Sequence, residues 1–448
     1  MSYPEPEYGA KRKMKSFSEN PWMEKLAIFN GPKAVQLEVV PYPKGVLEEE
    51  EISATIDVLR GGRISGLWTG TPVDGFEESY AKYVGTRYAL AANSGTAALH
   101  SAIVAARAGP GDEVIVPAYT YLASVSCVLH NNAVPIFADV DSRTFTLDPE
   151  DVETKITKRT RAIVAVHLYG HPAPMDRLCE IAKEHDLIVI EDCAQAIGAE
   201  YNGMKVGSIG DIGCTSFQAS KNMVCGEGGM LTTNSEELLE RAALTGNHPW
   251  KLKPLIRNKD LRKYVDAGGM GYNYRMHPML AAIGLVQLKK LDDMNDRRIR
   301  NANYLTERLK EIKGIEPPYV AAKAKHVYYM YTMKYDEVEL KVPRERYLEA
   351  LVAEGVPIFA HLNLLGPYVE KPLYEQAIYK ELDFYGKGCP FKCHHGITPT
   401  YGNLAVTERL CKETFSIFDI HPPNSTALMA QYVHAFEKVS QNVHRLSM

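Results

Sequence analysis

The chain has 448 residues, 45% of them hydrophobic, which is enough for a large core and at this length for two lobes. Its 51 Lys and Arg stand against 55 Asp and Glu, a net charge of -4, and no basic run is dense enough to follow a phosphate backbone, so nucleic acid is excluded as an expected partner. Residues 1 to 30 lack the apolar stretch of a secretory signal or membrane span, and the eight cysteines lack the dense spacing of a disulfide framework, so a cytoplasmic protein with mostly free thiols and no membrane association is expected.

A polar extension, residues 1–35, precedes a helix predicted over 48–59. Gly61-Gly62-Arg63-Ile64-Ser65-Gly66-Leu67 then reads as a glycine-rich loop expected to line a site, leading to a helix over 76–84. From there apolar runs at 88–92, 113–116, 135–138, 162–166 and 187–191 alternate with helical stretches that include 96–106, 123–131 and 175–185. Strands apolar on both faces and separated by helices predict an α/β lobe with a mainly parallel sheet, assigned to residues 36–290. An apolar-periodic helix over 280–291 continues into a charged one over 292–308, and the lobe boundary is placed near 290. A strand at 327–334 and helices at 344–355 and 425–439 predict a smaller α+β lobe over 291–448.

Asn93-Ser94-Gly95-Thr96-Ala97-Ala98-Leu99 lies where a strand ends and a helix begins, so free N–H groups of the first turn are available to an anion, with Gly95 permitting close approach and Thr96 adding a hydroxyl. A plain N-capping turn would look the same. In Ser216-Phe217-Gln218-Ala219-Ser220-Lys221, followed by Gly226-Glu227-Gly228-Gly229, small and polar residues bracket a lysine in an apolar setting. Burial and cationic neighbours favour the free amine, which can form an imine with an aldehyde cofactor; a lysine snorkelling to water is the competing reading. The apolar strand ending in Glu191-Asp192 places a carboxylate where ligands of open α/β sheets gather, suited to keeping a pyridine nitrogen protonated, although Asp192 is also a possible helix cap. Tyr119 and Tyr121 follow another strand end and offer a ring for stacking or for the core. Phosphate loop, aromatic, strand-end Asp and lysine arrive in the order of the fold-type I, aspartate aminotransferase-like architecture.

Five ordered motifs carry a family resemblance: Asn93 to Leu99, Glu191-Asp192-Cys193-Ala194-Gln195, Ser216 to Lys221, Gly226 to Gly229, and Gly271-Tyr272-Asn273-Tyr274-Arg275-Met276. Together they make the chain similar, from about residue 35 onward, to the DegT/DnrJ/StrS sugar and cyclitol aminotransferases. That resemblance implies a seven-stranded-type sheet, pyridoxal 5'-phosphate held as a Schiff base by Lys221, and these further cofactor contacts: Gly95, Thr96 and Ser216 on the phosphate, Tyr121 on the ring, Asp192 at the ring nitrogen and Gln195 near the ring hydroxyl. It also implies a homodimer in which Asn273 reaches the partner's cofactor phosphate. Some members replace the lysine by histidine and become dehydratases; here Lys221 is present. A ping-pong transamination with Lys221 moving the proton follows.

The segment Leu26-Ala27-Ile28-Phe29-Asn30-Gly31-Pro32-Lys33-Ala34-Val35 and the tail 407–423 resemble the branch holding glutamine:scyllo-inosose aminotransferases and aminohydroxybenzoate synthases. The implied donor is glutamine or glutamate, and the implied acceptor a ketocyclitol or nucleotide-linked ketosugar. His167, which ends the 162–166 run, and His361, Asn363, His394, His395 and Tyr401 are candidate acceptor contacts. Cys389, Cys393, His394 and His395 match no paired zinc spacing, so no metal is expected. The basic run Lys251, Lys253, Arg257, Lys259, Arg262 and Lys263 is either a phosphate contact or a solvated face. Two alternatives stand beside aminotransfer: aromatising dehydration, and a regulator that binds the cofactor without turnover.

Overall fold

Val, Ile and Ala runs that are apolar on both faces form the centre of the molecule, which a computed structural model describes for residues 24–358, 368–384, 386–388, 391 and 399–446. In chain order the strands are β1 (Tyr88–Ala92), β2 (Glu113–Pro117), β3 (Val134–Ala138), β4 (Thr160–Val166), β5 (Ile188–Asp192), a short hairpin of β6 (Glu200–Tyr201) and β7 (Met204–Lys205), then β8 (Ile212–Ser216) and β9 (Gly229–Thr233). Seven of them build one sheet in the order β1-β9-β8-β5-β4-β2-β3. Only β9 runs against its neighbours; the remaining pairings are parallel. β1 to β5 match the predicted runs to within two residues, whereas β8 and β9 were not anticipated.

The helices that frame this sheet on its first half are α1 (Glu49–Gly61), α2 (Pro72–Val84), α3 (Gly95–Ala105) and α4 (Ala123–His130). Strand alternation sorts the side chains into two cores. Val114, Val116, Val164 and Ile190 pack with Ala98, Ala102 and Val125 from α3 and α4. Ile115, Ile163, Ala165 and Val189 face the other way, against Met175, Leu178 and Ile181 of the helix Met175–Glu184. Burying each such branched side chain contributes about 1.5–3 kcal/mol, and covering both faces leaves the loops at the carboxyl edge of the sheet as the place for a ligand.

The apolar and charged stretches on either side of residue 290 form one unbroken helix, Pro278–Leu309. Its first half packs with Phe76 and Tyr80 through Ala281 and Leu291, and its second half enters another core through Ala302, Leu305 and Leu309. That second core belongs to a smaller unit with the antiparallel strands β10 (Ile315–Glu316), β12 (Tyr331–Tyr335) and β13 (Thr414–Ile417), while β11 (Ala324–Lys325) pairs with β6. The cores do not divide the chain at a single point. Leu26, Ala34 and Val35 join the smaller core, and Leu373, Leu404 and Leu410 join the larger one. Glu354 is fully buried and ties in the leading segment by accepting from Ala27 N at 2.8 Å, Ala34 N at 2.9 Å and Lys438 Nζ at 2.9 Å. Among the described residues no helix is long and apolar enough to cross a membrane.

Candidate active site

Three parallel strands and one helix converge on a cavity of about 490 Å³ at the carboxyl edge of the sheet. Its walls take Asp192 from the end of β5, Ser216 from the end of β8, Gly95 and Thr96 from the start of α3, Tyr121 from the loop after β2, and Gln195 and Lys221 from the loops that follow β5 and β8. The chain separates these residues by up to 126 positions; the topology alone collects them.

Ser94 caps α3 by accepting from Ala97 N at 3.1 Å, which leaves the amides of Gly95 and Thr96 without acceptors inside the helix. A methyl group added at Gly95 would come within 2.6 Å of Ser216 Cβ, so glycine is what keeps this helix start and the Ser216 hydroxyl on one small cradle. Backbone donors, the helix dipole and a hydroxyl in that arrangement suit a phosphate. The Asp192 carboxylate is held from two sides, accepting from Ser124 Oγ at 2.7 Å and from Ala194 N at 3.0 Å. Gln195 Oε1 accepts from Tyr169 N at 2.8 Å, so the other end of that amide is its donor, and the side chain also meets the Tyr368 phenol. Tyr121 is half exposed, its ring tilted 31° to that of Tyr368 with centroids 6.3 Å apart. The set of a phosphate cradle, a fixed carboxylate and a buried lysine fits pyridoxal phosphate.

Lys221 is 9% exposed, and its Nζ stands 4.6 Å from the centroid of the Tyr329 ring. Its backbone is pinned at both polar atoms, its N–H by Gln218 O at 2.8 Å and its carbonyl by the hydroxyl of Tyr42. The next residue, Asn222, donates to Val327 O at 3.1 Å and to Asn295 Oδ1 at 3.3 Å, fastening the lysine loop to the smaller unit and to the long helix.

His167 does not reach the cavity, contrary to expectation. Val166 pairs with Asp192 across β4 and β5, and both line the cavity; the following residue, by alternation, points to the opposite face. There His167 is fully buried, with Nε2 at 3.0 Å from Glu191 Oε2 and Nδ1 accepting from Ala173 N at 2.9 Å. Glu191 also accepts from the amides of Gly207, Ile209 and Gly210 at 2.8–2.9 Å, so the pair organises the turn before β8. Asn273 is exposed, in a left-handed conformation with φ 61°, and is not part of this cavity's lining. His361, Asn363, Cys389, Cys393, His394 and His395 lie outside the described residues. Tyr401 is used elsewhere, donating to Pro135 O at 2.8 Å.

Two other segments are not part of this cavity's lining. The glycine-rich loop at 61–67 lines a separate open cleft with Trp68 and Trp250. In the basic run, Lys251 pairs with Glu77 at 2.6 Å, Lys253 with Asp266 at 3.3 Å and Arg257 with Glu236 at 3.3 Å, so much of its charge is already answered. Conversely, sequence reading missed Ser124, Tyr329 and Tyr368 and gave Ser220, inside the lysine motif, no role of its own; all four line the cavity. Burial pushes the Tyr368 phenol up, with Tyr329, Tyr121 and Asp192 nearby adding to the effect.

A mostly parallel α/β sheet with a lysine, a strand-end carboxylate and a helix-start anion cradle at its carboxyl edge defines the aspartate aminotransferase-like class. Comparison with known proteins then places the chain within it. Residues 46–413 match the DegT/DnrJ/EryC1/StrS aminotransferase family. GDP-perosamine synthase of Caulobacter vibrioides is 39% identical over 327 residues, 72% of this chain and 85% of that protein. The L-glutamine:scyllo-inosose aminotransferase of Streptomyces griseus is 38% identical over 341 residues, 73% of this chain and 78% of that one. The X-ray structure of the aminotransferase from Psychrobacter cryohalolentis superposes with a TM-score of 0.78 at 32% identity, covering 91% of this chain and all of the other. The chain belongs to the DegT/DnrJ/EryC1/StrS family of sugar and cyclitol aminotransferases, whose members depend on pyridoxal phosphate.

Proposed function

We propose that this enzyme moves an amino group from glutamine or glutamate to the ketone of a ketocyclitol or nucleotide-linked ketosugar, working as a homodimer with pyridoxal phosphate on Lys221. The observation that carries the reading is the meeting of Lys221, Asp192 and the Gly95–Ser216 cradle in one cavity. When bound, the cofactor would supply the aldehyde that takes up the donor's nitrogen and a ring that delocalises the electrons of a broken C–H bond.

The protein's part follows from its own groups. Gly95 N, Thr96 N and Ser216 Oγ hold the phosphate, and Tyr121 covers the ring. Asp192, fixed by Ser124 and Ala194, holds a proton on the ring nitrogen. Gln195 offers its amide donor to the ring oxygen because its own oxygen is occupied by Tyr169 N. Lys221 takes a proton at Nζ from the donor carbon in one half of the cycle and returns one to the acceptor carbon's side in the other. Asn273, exposed and outside this cavity's lining, serves the phosphate of the partner's site.

Two measurements test the proposal. Glutamine or glutamate added to cofactor-loaded protein is expected to bleach its visible absorbance, and a panel of ketocyclitols and nucleotide-linked ketosugars, followed by mass spectrometry, is expected to yield an amine. Bleaching by no amino donor would favour a regulator, and an aromatic product would favour aromatising dehydration.

A further inference from the structure

Three residues on the wall beside Lys221 form a chain whose hydrogen-bond direction is fixed. Ser220 N lies 2.8 Å from the Gln218 side chain, and a backbone N–H only donates, so the atom facing it is the amide oxygen, Oε1. Ser220 Oγ is 2.6 Å from that same oxygen and spends its single hydrogen there. Tyr329 Oη, 3.1 Å from Ser220 Oγ, is therefore the donor in the last link, and what its oxygen retains is lone pairs.

The ring cannot swing to change this. Tyr329 is 4% exposed, packs edge-on against Phe418 with centroids 5.5 Å apart, and follows the Val327 carbonyl that Asn222 holds. Gln218, Ser220 and Tyr329 all line the cavity, and the Tyr329 ring stands beside Lys221 Nζ. A carbon that exchanges a hydrogen with Lys221 must come close to Nζ, which brings a substituent one carbon further along a sugar or cyclitol ring to Tyr329. An oxygen that only accepts is matched there by a hydroxyl. A methylene leaves it unpaired in a buried place, which is costly.

We infer that Tyr329, oriented by Ser220, is a specificity-determining residue that accepts a hydrogen bond from a hydroxyl on the carbon next to the acceptor's ketone. This rests on the aminotransferase reading above and adds the selecting group. The probes are the polyhydroxylated cyclic ketone scyllo-inosose and its 2-deoxy analogue, which lacks that neighbouring hydroxyl, with glutamine as donor. For the unaltered enzyme kcat/KM is expected to favour the hydroxylated ketone by about tenfold. Tyr329→Phe should bring the ratio close to unity, and Ser220→Ala, which frees the phenol hydrogen, should lower it part of the way. Damage to folding or to the cofactor site lowers both values together and leaves the ratio alone. A ratio unchanged in Tyr329→Phe, an unaltered enzyme without preference, or amination of neither ketone overturns the inference. If glutamine still bleaches the cofactor band in that last case, the aminotransferase reading stands; if no amino donor bleaches it, both fall.

Discussion

Ser124 Oγ donates to Asp192 Oδ2 at 2.7 Å, joining the first turn of α4 to the end of β5 across the floor of the cavity. Thr120 Oγ1 lies 3.1 Å from Ser124 Oγ and supports that serine in turn, since the serine hydrogen is committed to the carboxylate. A carboxylate fixed in this way keeps one orientation toward a ring nitrogen without a cationic partner. Asp192→Asn is expected to lower kcat by about 100-fold or more, because the amide holds a ring proton poorly. Ser124→Ala leaves the carboxylate in place and should cost about tenfold, the worth of one hydrogen bond to a charged group. Steady-state kinetics with the preferred donor checks both, and near-normal rates in Asp192→Asn would reduce that residue to a helix cap.

Gly95→Ala should weaken cofactor binding by tenfold or more. The added methyl meets Ser216 Cβ at 2.6 Å, and that atom is bonded directly to the β8 backbone and has little room to retreat, so the cradle must open. Fluorescence titration of the apoprotein with pyridoxal phosphate measures this; unaltered affinity would place the phosphate elsewhere.

The buried Glu354–Lys438 pair should matter for stability and not for chemistry. Lys438 is 3% exposed and also donates to Pro32 O at 2.6 Å, so removing either charge strands its partner in an apolar core. Glu354→Gln or Lys438→Met is expected to cost about 3–5 kcal/mol in urea denaturation, and the double apolar replacement Glu354→Leu with Lys438→Met less than the sum of the two. Additive losses would show the two charges to be independent.

Acid should loosen the fold around α3. Burial, helped by nearby His130, pushes His100 down to about 4, and its Nδ1 lies 2.9 Å from the Tyr274 hydroxyl. The unfolded chain binds that proton near the ordinary value of about 6.5. Between these values the unfolded state is the more protonated, so stability is complete above about 6.5 and declines as pH falls toward 4. Burial pushes His171 down to about 4 as well, adding a slope of the same sign. Urea midpoints measured across this range should fall, and fall less steeply in His100→Asn; an equal slope in that variant would remove His100 from the account.

Much of the large lobe was legible because β2 to β5 are buried on both faces and spell themselves out as runs such as Val114-Ile115-Val116. β8 (Ile212-Gly213-Cys214-Thr215-Ser216) and β9 (Gly229-Met230-Leu231-Thr232-Thr233) were not, since glycine and short polar residues weaken the apolar signal and only the neighbouring strands fix them. In the site, most residues within motifs could be read, whereas Ser124 and Tyr329 come to the cavity through turns whose direction no local pattern announces, and Ser220, inside a motif, had no role that its type alone could assign. His167 shows how narrow the margin is. It follows the cavity-lining Val166 by one position, and a period of two sends it to the other side of the sheet.

The role of Lys221 is tested most directly by reducing the cofactor-loaded protein with borohydride and mapping its peptides by mass spectrometry. A single pyridoxyl group on Lys221, absent from Lys221→Ala along with all turnover, is the expected result. A label on another lysine, or full transamination by Lys221→Ala, would contradict the account.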